Sequence, residues 1–328
     1  MGNPSKNQLI QKMKALNRYV GYWLTGMLYV EAILLMALGA QAQNLFLVSE
    51  DNGALYQVAP DGTLVPPNPY ASNLGNACGV AVNSAGDAFV SVGANGYNNG
   101  SILEITPNGN VSAFVANITD PIHMAFDSSG NLCVGESYPF GNGDGPGAIT
   151  KIAPNGTIVS STSLPNPSGL AFDLSGNLFV ANNYAGTITK IMANGTQSIF
   201  ASGLDFPEGL AFNSAGDLFE SDTYSGNIYE FTPQGRITFA SGLNYPSMLA
   251  FNNAGILFVL DGNGNVDEFT PSGAESPFVS GLSGSDIAFE TVPEPSMLGL
   301  LGVGLTTLVL RRRNLTALLT QISQMTPN

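Results

Sequence analysis

Apolar and polar positions alternate in short runs from Asn44 to Glu290, and most runs stop at a turn that contains glycine. Alternation with period two describes a strand, because successive side chains point to opposite faces. One string keeps returning: GVAVNSAGDAFV at Gly79, HMAFDSSGNLCV at His123, GLAFDLSGNLFV at Gly169, GLAFNSAGDLFE at Gly209 and MLAFNNAGILFV at Met248. Its central alanine falls at Ala81, Ala125, Ala171, Ala211 and Ala250, spacings of 44, 46, 40 and 39 residues. A second half-repeat occurs six times: LYQVAPDG from Leu55, ILEITPNG from Ile102, ITKIAPNG from Ile149, ITKIMANG from Ile188, IYEFTPQG from Ile228 and VDEFTPSG from Val266.

Each unit therefore predicts four strands: A (Ala-Phe core), B (Leu-Phe-Val) after a Ser/Ala-Gly-Asp/Asn turn, C, and D (Phe-Ala-Ser-Gly-Leu) after an Asn-Gly-like turn. A period near 40 residues built from four short strands is that of a propeller blade. The chain is expected to be an all-β, six-bladed β-propeller. The first blade opens at Asn44 to Val48 without a strand A of its own, and Ser285 to Phe289 supplies one, with Ala288 standing 38 residues beyond Ala250. That C-terminal strand would complete the first blade and close the ring, removing exposed sheet edges. Composition agrees: 39 glycines and 20 prolines fit many tight turns, and 18 phenylalanines and 11 tyrosines give a core that a disordered chain lacks.

Both ends read as processing signals. Lys6, Lys12, Lys14 and Arg18 precede an apolar run from Ala32 to Gly39 and the small-residue site Ala40-Gln41-Ala42, the order of a secretory signal peptide; Glu31 interrupts the apolar stretch, and Met13 or Met27 are alternative starts. At the other end Pro293-Glu294-Pro295 leads into an apolar run from Met297 to Leu310, followed by Arg311, Arg312 and Arg313. At about 1.5 Å per residue that run reaches roughly 21 Å, short of a ~30 Å hydrocarbon core. The order of motif, helix and arginines resembles the PEP-CTERM sorting signal of Gram-negative bacteria. The resemblance implies transient anchoring in the inner membrane and processing by an exosortase-type enzyme, then delivery to the cell surface or extracellular matrix. The tail from Asn314 to Asn328 departs from that pattern, which ends soon after the arginines. The expected division is a signal peptide at 1–42, the propeller at 43–292, the sorting segment at 293–313 and a tail at 314–328.

Charge narrows the partners. Between the signals Lys151, Lys190 and Arg236 are the only cations, against 22 of the 24 acidic residues once Glu31 and Glu294 are set aside, a net charge of −19. Nucleic acid is thereby excluded as a partner, whereas cations, sugars and basic proteins fit. Cys78 and Cys133 sit at different repeats and are expected as free thiols.

The strings PEGLAFNSAGDLFESDT and PSGLAFDLSGNLFVANN resemble NHL repeats, and the whole of residues 44 to 290 is similar to the superfamily of gluconolactonase/senescence-marker lactonases and streptogramin lyases. The repeated residues are those of turns and core, so the resemblance speaks for fold more than for activity. In the lactonases the position before the Gly-Leu-Ala motif carries a divalent-metal set of Glu, Asn and Asp; here it reads Cys78, Ile122, Ser168, Glu208, Ser247 and Ser285, and Glu208 alone matches. His123 is the only histidine, a candidate general acid or base with Glu208 or Glu136 as partner, or else a polar lining residue. The lyases use more than one histidine.

The residues ending strand B are Glu50, Val92, Glu136, Asn182, Asp222 and Asp261, an oxygen-rich ring that could take a cation such as Ca²⁺ or a polyol, or could cap the local turns. Longer B–C loops carry Tyr97 in blade 2 and Tyr138, Phe140 and Asp144 in blade 3, aromatics beside a carboxylate that suit sugar rings. The sequence thus supports a monomeric binding or scaffold propeller with a glycan or protein ligand. Its rivals are a metal-dependent lactonase, hydrolase or lyase using Glu208 and His123, and a propeller that is merely soluble and acidic.

Overall fold

The computed structural model describes residues 43–93, 100–137 and 147–290. The predicted leader, the sorting segment from Pro293 to Arg313, the tail and the loop residues Tyr97, Tyr138, Phe140 and Asp144 lie outside the described residues. Residues 42–292 form one compact unit.

That unit is the all-β, six-bladed propeller the repeat predicts, with antiparallel sheets whose order follows the chain. Blade 4 shows the plan: strand A Pro167–Phe172, B Leu178–Asn182, C Thr187–Ile191 and D Gln197–Ser202. Strands A of the six blades are Asp286–Phe289, Asn76–Val82, Pro121–Phe126, Pro167–Phe172, Pro207–Phe212 and Leu249–Phe251, and they surround the central channel. An Asx residue closes each A–B hairpin of blades 2 to 6. In blade 3 the Oδ1 of Asp127 accepts the N–H groups of Ser129 and Asn131, both at 2.9 Å, and Asp173 and Asn213 do the same in blades 4 and 5.

Ring closure follows the predicted route. Asp286–Phe289 pairs antiparallel with Leu45–Ser49, Val48 facing Asp286 and Leu45 facing Phe289. The N–H of Ser285 donates to the Val48 carbonyl at 2.8 Å, and that of Glu290 to Asn44 at 2.9 Å. Blade 1 departs from the repeat at its outer edge, where residues 59–75 add only the bridges Leu55–Ala71 and Val58–Leu64. Pro66, Pro67 and Pro69 lack the N–H that a fourth strand would need.

Phenylalanines weld neighbouring blades. The strand B ring of one blade meets the strand A ring of the next edge-on, as Phe89–Phe126 at 5.2 Å, Phe179–Phe212 at 5.1 Å, Phe219–Phe251 at 5.0 Å and Phe258–Phe289 at 4.9 Å. Cys133 takes this position in blade 3, opposite Ala125, and packs beside Phe172. Burial pushes its thiol up to about 12, so it behaves as a small apolar side chain. Among the described residues no helix is long and apolar enough to cross a membrane.

Candidate functional site

The D–A crossings and the B–C loops meet at one end of the channel. Backbone bonds tie them: Thr223 N–H to the Phe206 carbonyl at 3.2 Å, Ser137 to Asp120 at 3.2 Å and Gly262 to Asn244 at 2.8 Å. Within, strands A line a cavity of about 330 Å³ whose walls include His123, Met248, Leu210 and Asp286.

Counting two residues back from each central alanine gives one level of the channel: Asp286, Gly79, His123, Gly169, Gly209 and Met248. Glycine is needed where the next blade's backbone comes close. A Cβ on Gly79 would stand 2.2 Å from the Ile122 carbonyl oxygen, on Gly169 2.2 Å from that of Glu208, and on Gly209 2.3 Å from that of Ser247. Strand B serines bridge these approaches. Ser91 Oγ accepts the Gly79 N–H at 2.7 Å and donates to the Ile122 carbonyl, and Ser221 Oγ links Gly209 to the Ser247 carbonyl in the same way.

Because Gly79 of blade 2 has no side chain, blades 1 and 3 can meet across it. His123 Nδ1 lies 3.3 Å from Asp286 Oδ2, and that oxygen also accepts the Val80 N–H at 2.9 Å. Burial opposes a charged imidazole, but the Asp286 carboxylate and its hydrogen bond, with the charge of Glu208, outweigh it and hold the His123 pKa above the ordinary histidine value. Glu208 shares the same field: burial raises its pKa, while His123 and the Thr223 hydroxyl, which donates to Oε2 at 3.0 Å, work against the rise. The structure thus brings the two predicted channel residues into one electrostatic cluster and adds Asp286 and Thr223 to it.

The rest of the Glu208 level offers little to a cation. Ser247 and Ser285 turn their hydroxyls to the Leu260 and Val48 carbonyls, and the Cys78 thiol faces the Asn76 carbonyl. Burial, with the charges of Glu50, Asp120 and Asp286, pushes that thiol up to about 11. Both cysteines are unpaired.

The oxygen ring at the end of strand B is spread over separate duties. Glu136 Oε2 accepts the Thr119 N–H at 3.3 Å and Asp222 Oδ2 the Asp205 N–H at 2.8 Å, both on the preceding D–A crossing. Asp261 caps its own loop through Asn263 and Asn265 N–H, and Asn182 binds Thr187 and Thr189. Glu50 is exposed and stands one residue past the matched register, where the pairing of Phe46 with Ala288 puts Ser49. Beside Asp222, in the seam between blades 4 and 5, Glu220 is fully buried where sister blades carry Val180 and Val259; neither of its oxygens nor Asp222 Oδ1 has a hydrogen-bond partner among the described residues. Burial, helped by the Asp222 charge, raises Glu220 to about 9.

Asp286 escapes sequence reasoning as a channel residue because it belongs to the closing strand, away from the repeat string. Its break from glycine, shared with His123, was the available signal. Also missed were the exposed rings of Tyr184, Tyr224 and Tyr245 and the half-buried Phe206 between them, which recur at equivalent loop positions of neighbouring blades.

Residues 291–313 match the PEP-CTERM protein-sorting motif. The motif implies export and membrane-associated sorting. No curated protein matches the sequence. Solved structures share the propeller at low identity: a nidogen/laminin complex at 17% identity, covering 77% of this chain and 99% of that one with a TM-score of 0.63. A catalytically inactive virginiamycin B lyase of Staphylococcus aureus with quinupristin follows at 16%, 77% and 94% coverage and 0.52. A gluconolactonase-like protein matches at 15%, 64% and 80% coverage and 0.52. At such identities the similarity concerns the fold.

Proposed function

We propose that this PEP-CTERM propeller is a binding or scaffold module of the cell envelope or extracellular matrix, taking its ligand at the channel mouth. An exosortase-type enzyme processes its tail after transient anchoring in the inner membrane, and the NHL-like ring, closed on itself, works as a monomer. The observation that carries the binding role is the Glu208 level. Around one carboxylate, already engaged by Thr223, stand Cys78, Ile122, Ser168, Ser247 and Ser285. A metal that polarises a carbonyl or activates water needs several convergent oxygens, and this donor set does not fit one.

The second reading, a metal-dependent lactonase, hydrolase or lyase, draws on the His123–Asp286–Glu208 cluster, since perturbed titrating groups in a channel favour catalysis. A turnover assay separates the two. With lactone and ester substrates and added Ca²⁺, Mn²⁺ or Zn²⁺, a binding module gives no hydrolysis above the blank. Metal-dependent hydrolysis that disappears in Glu208→Gln would establish the enzyme instead.

A further inference from the structure

On the mouth of blades 4 to 6 four aromatic rings run in an arc. Tyr184 meets Phe206 edge-on at 5.3 Å, Phe206 stacks on Tyr224 at 4.5 Å and 22°, and Tyr224 meets Tyr245 edge-on at 6.4 Å. Rings elsewhere in this fold weld blades together, whereas these three tyrosines stay 58–60% exposed. The backbone beneath two of them is strained. Phe206 (φ 67°) and Tyr245 (φ 47°) occupy the left-handed region at the D–A turn, where other crossings place Asp120, Asn166 and Ser283. Asp and Asn tolerate that conformation and a bulky ring does not, so the turn itself has no need of an aromatic residue. Strain held against local preference points to a use outside the fold.

Charge selects the occupant. The three cations of the propeller are all engaged near the opposite end: Lys151 with Asp127 and Lys190 with Asp173 at A–B turns, and Arg236 over the Tyr229 ring next to a C–D turn. The mouth is acidic, with exposed Asp205 beside Phe206 and, on blades 1 to 3, Glu50 and Asp120. Burial and the Glu50 charge raise the pKa of Asp120. Three rings of the arc follow a short polar residue that is not buried, Asn183, Asp205 and Asn244. Flat apolar faces, short hydrogen-bonding neighbours and an anionic rim together suit sugar rings that carry ammonium groups and repel uronates, phosphates and sulfates.

We infer that the arc is the platform for a glycan of amino sugars, whose ring faces lie on Tyr184, Tyr224 and Tyr245 and whose ammonium groups meet the acidic rim. It rests on the binding role proposed above and names its ligand. Calorimetric titration of the intact exported chain with chitosan oligosaccharide, cello-oligosaccharide, oligoalginate and a lysine decapeptide tests it. The expected order is chitosan oligosaccharide tightest, cello-oligosaccharide weaker and oligoalginate silent, with Tyr224→Ala weakening the chitosan affinity about tenfold or more at an unchanged melting temperature. The lysine peptide binding more tightly than any sugar would overturn the glycan while leaving a binding module in place. Cello-oligosaccharide or oligoalginate binding as tightly as chitosan, no sugar binding at all, or an unaltered affinity in both Tyr224→Ala and Tyr184→Ala would also overturn it. Failure of the binding role itself would show separately, as metal-dependent turnover lost in Glu208→Gln.

Discussion

His123 and Asp286 meet at 3.3 Å across the side-chain-free Gly79, although 163 residues separate them in the chain. The contact joins the closing strand of blade 1 to strand A of blade 3, so it links the electrostatics of the channel to the integrity of the ring.

That contact predicts a pH dependence of stability. The folded pKa of His123 is raised, so its contribution is fully present below the unfolded value of about 6.5 and is lost as pH rises through the higher folded value. Asp286→Asn should lower stability at pH 6 by roughly 1–3 kcal/mol, because it weakens bonds from both His123 and the Val80 N–H. The variant's melting temperature should also lose the fall above pH 6.5 that His123 imposes on the parent. Melting curves from pH 5 to 9 check this, and parallel curves for the two proteins would refute it.

Glu220 is a buried acid with the same direction of pH dependence but no hydrogen-bond partner among the described residues. Its folded pKa of about 9 lies above the ordinary carboxyl value, so the folded state holds a proton that the unfolded chain releases. Stability tied to this group is full below pH ~4.5 and declines as pH climbs to about 9. Glu220→Val, which restores the residue type of Val180 and Val259, should raise stability at pH 8 by roughly 1–3 kcal/mol, read from denaturant midpoints. A destabilised variant would mean that the carboxyl has a partner that offsets its burial.

The sorting segment makes a cellular prediction. Replacing Pro293 and Glu294 should hold the protein in the inner membrane fraction, while the parent is released outward. Identical fractionation of the two would mean that the motif does not direct this chain.

The blades were legible because their signals are local. Alternation, Asx-Gly turns and the Ala-Phe string at a fixed period each depend on near neighbours, and even ring closure could be read from Ala288 as a sixth copy. The missing outer strand of blade 1 was hidden, because prolines at 66, 67 and 69 spoil the ladder without altering the length of the unit. The channel was half legible. His123 and Glu208 broke the repeat visibly, but their partners Asp286 and Thr223 come from other strands, and no spacing rule carries that proximity. The oxygen ring misled for a related reason: equivalent positions along strand B share a register without sharing a direction of bonding, so Glu136 and Asp222 turn to the D–A crossing while Asp261 caps its own loop. The aromatic arc repeats at the blade spacing, Tyr184 with Tyr224 and Phe206 with Tyr245, but on loop residues outside the strand pattern, and only in some blades.

Hydrogen exchange of the intact exported chain, with and without the polysaccharide fraction of its own envelope, tests the central claim most directly. If the mouth is the binding surface, amides of residues 183, 184, 205, 206, 208, 223, 224, 244 and 245 gain protection, while the A–B turns at 127–131 and 173–177 do not change. Protection confined to those turns, or none anywhere, would contradict the account.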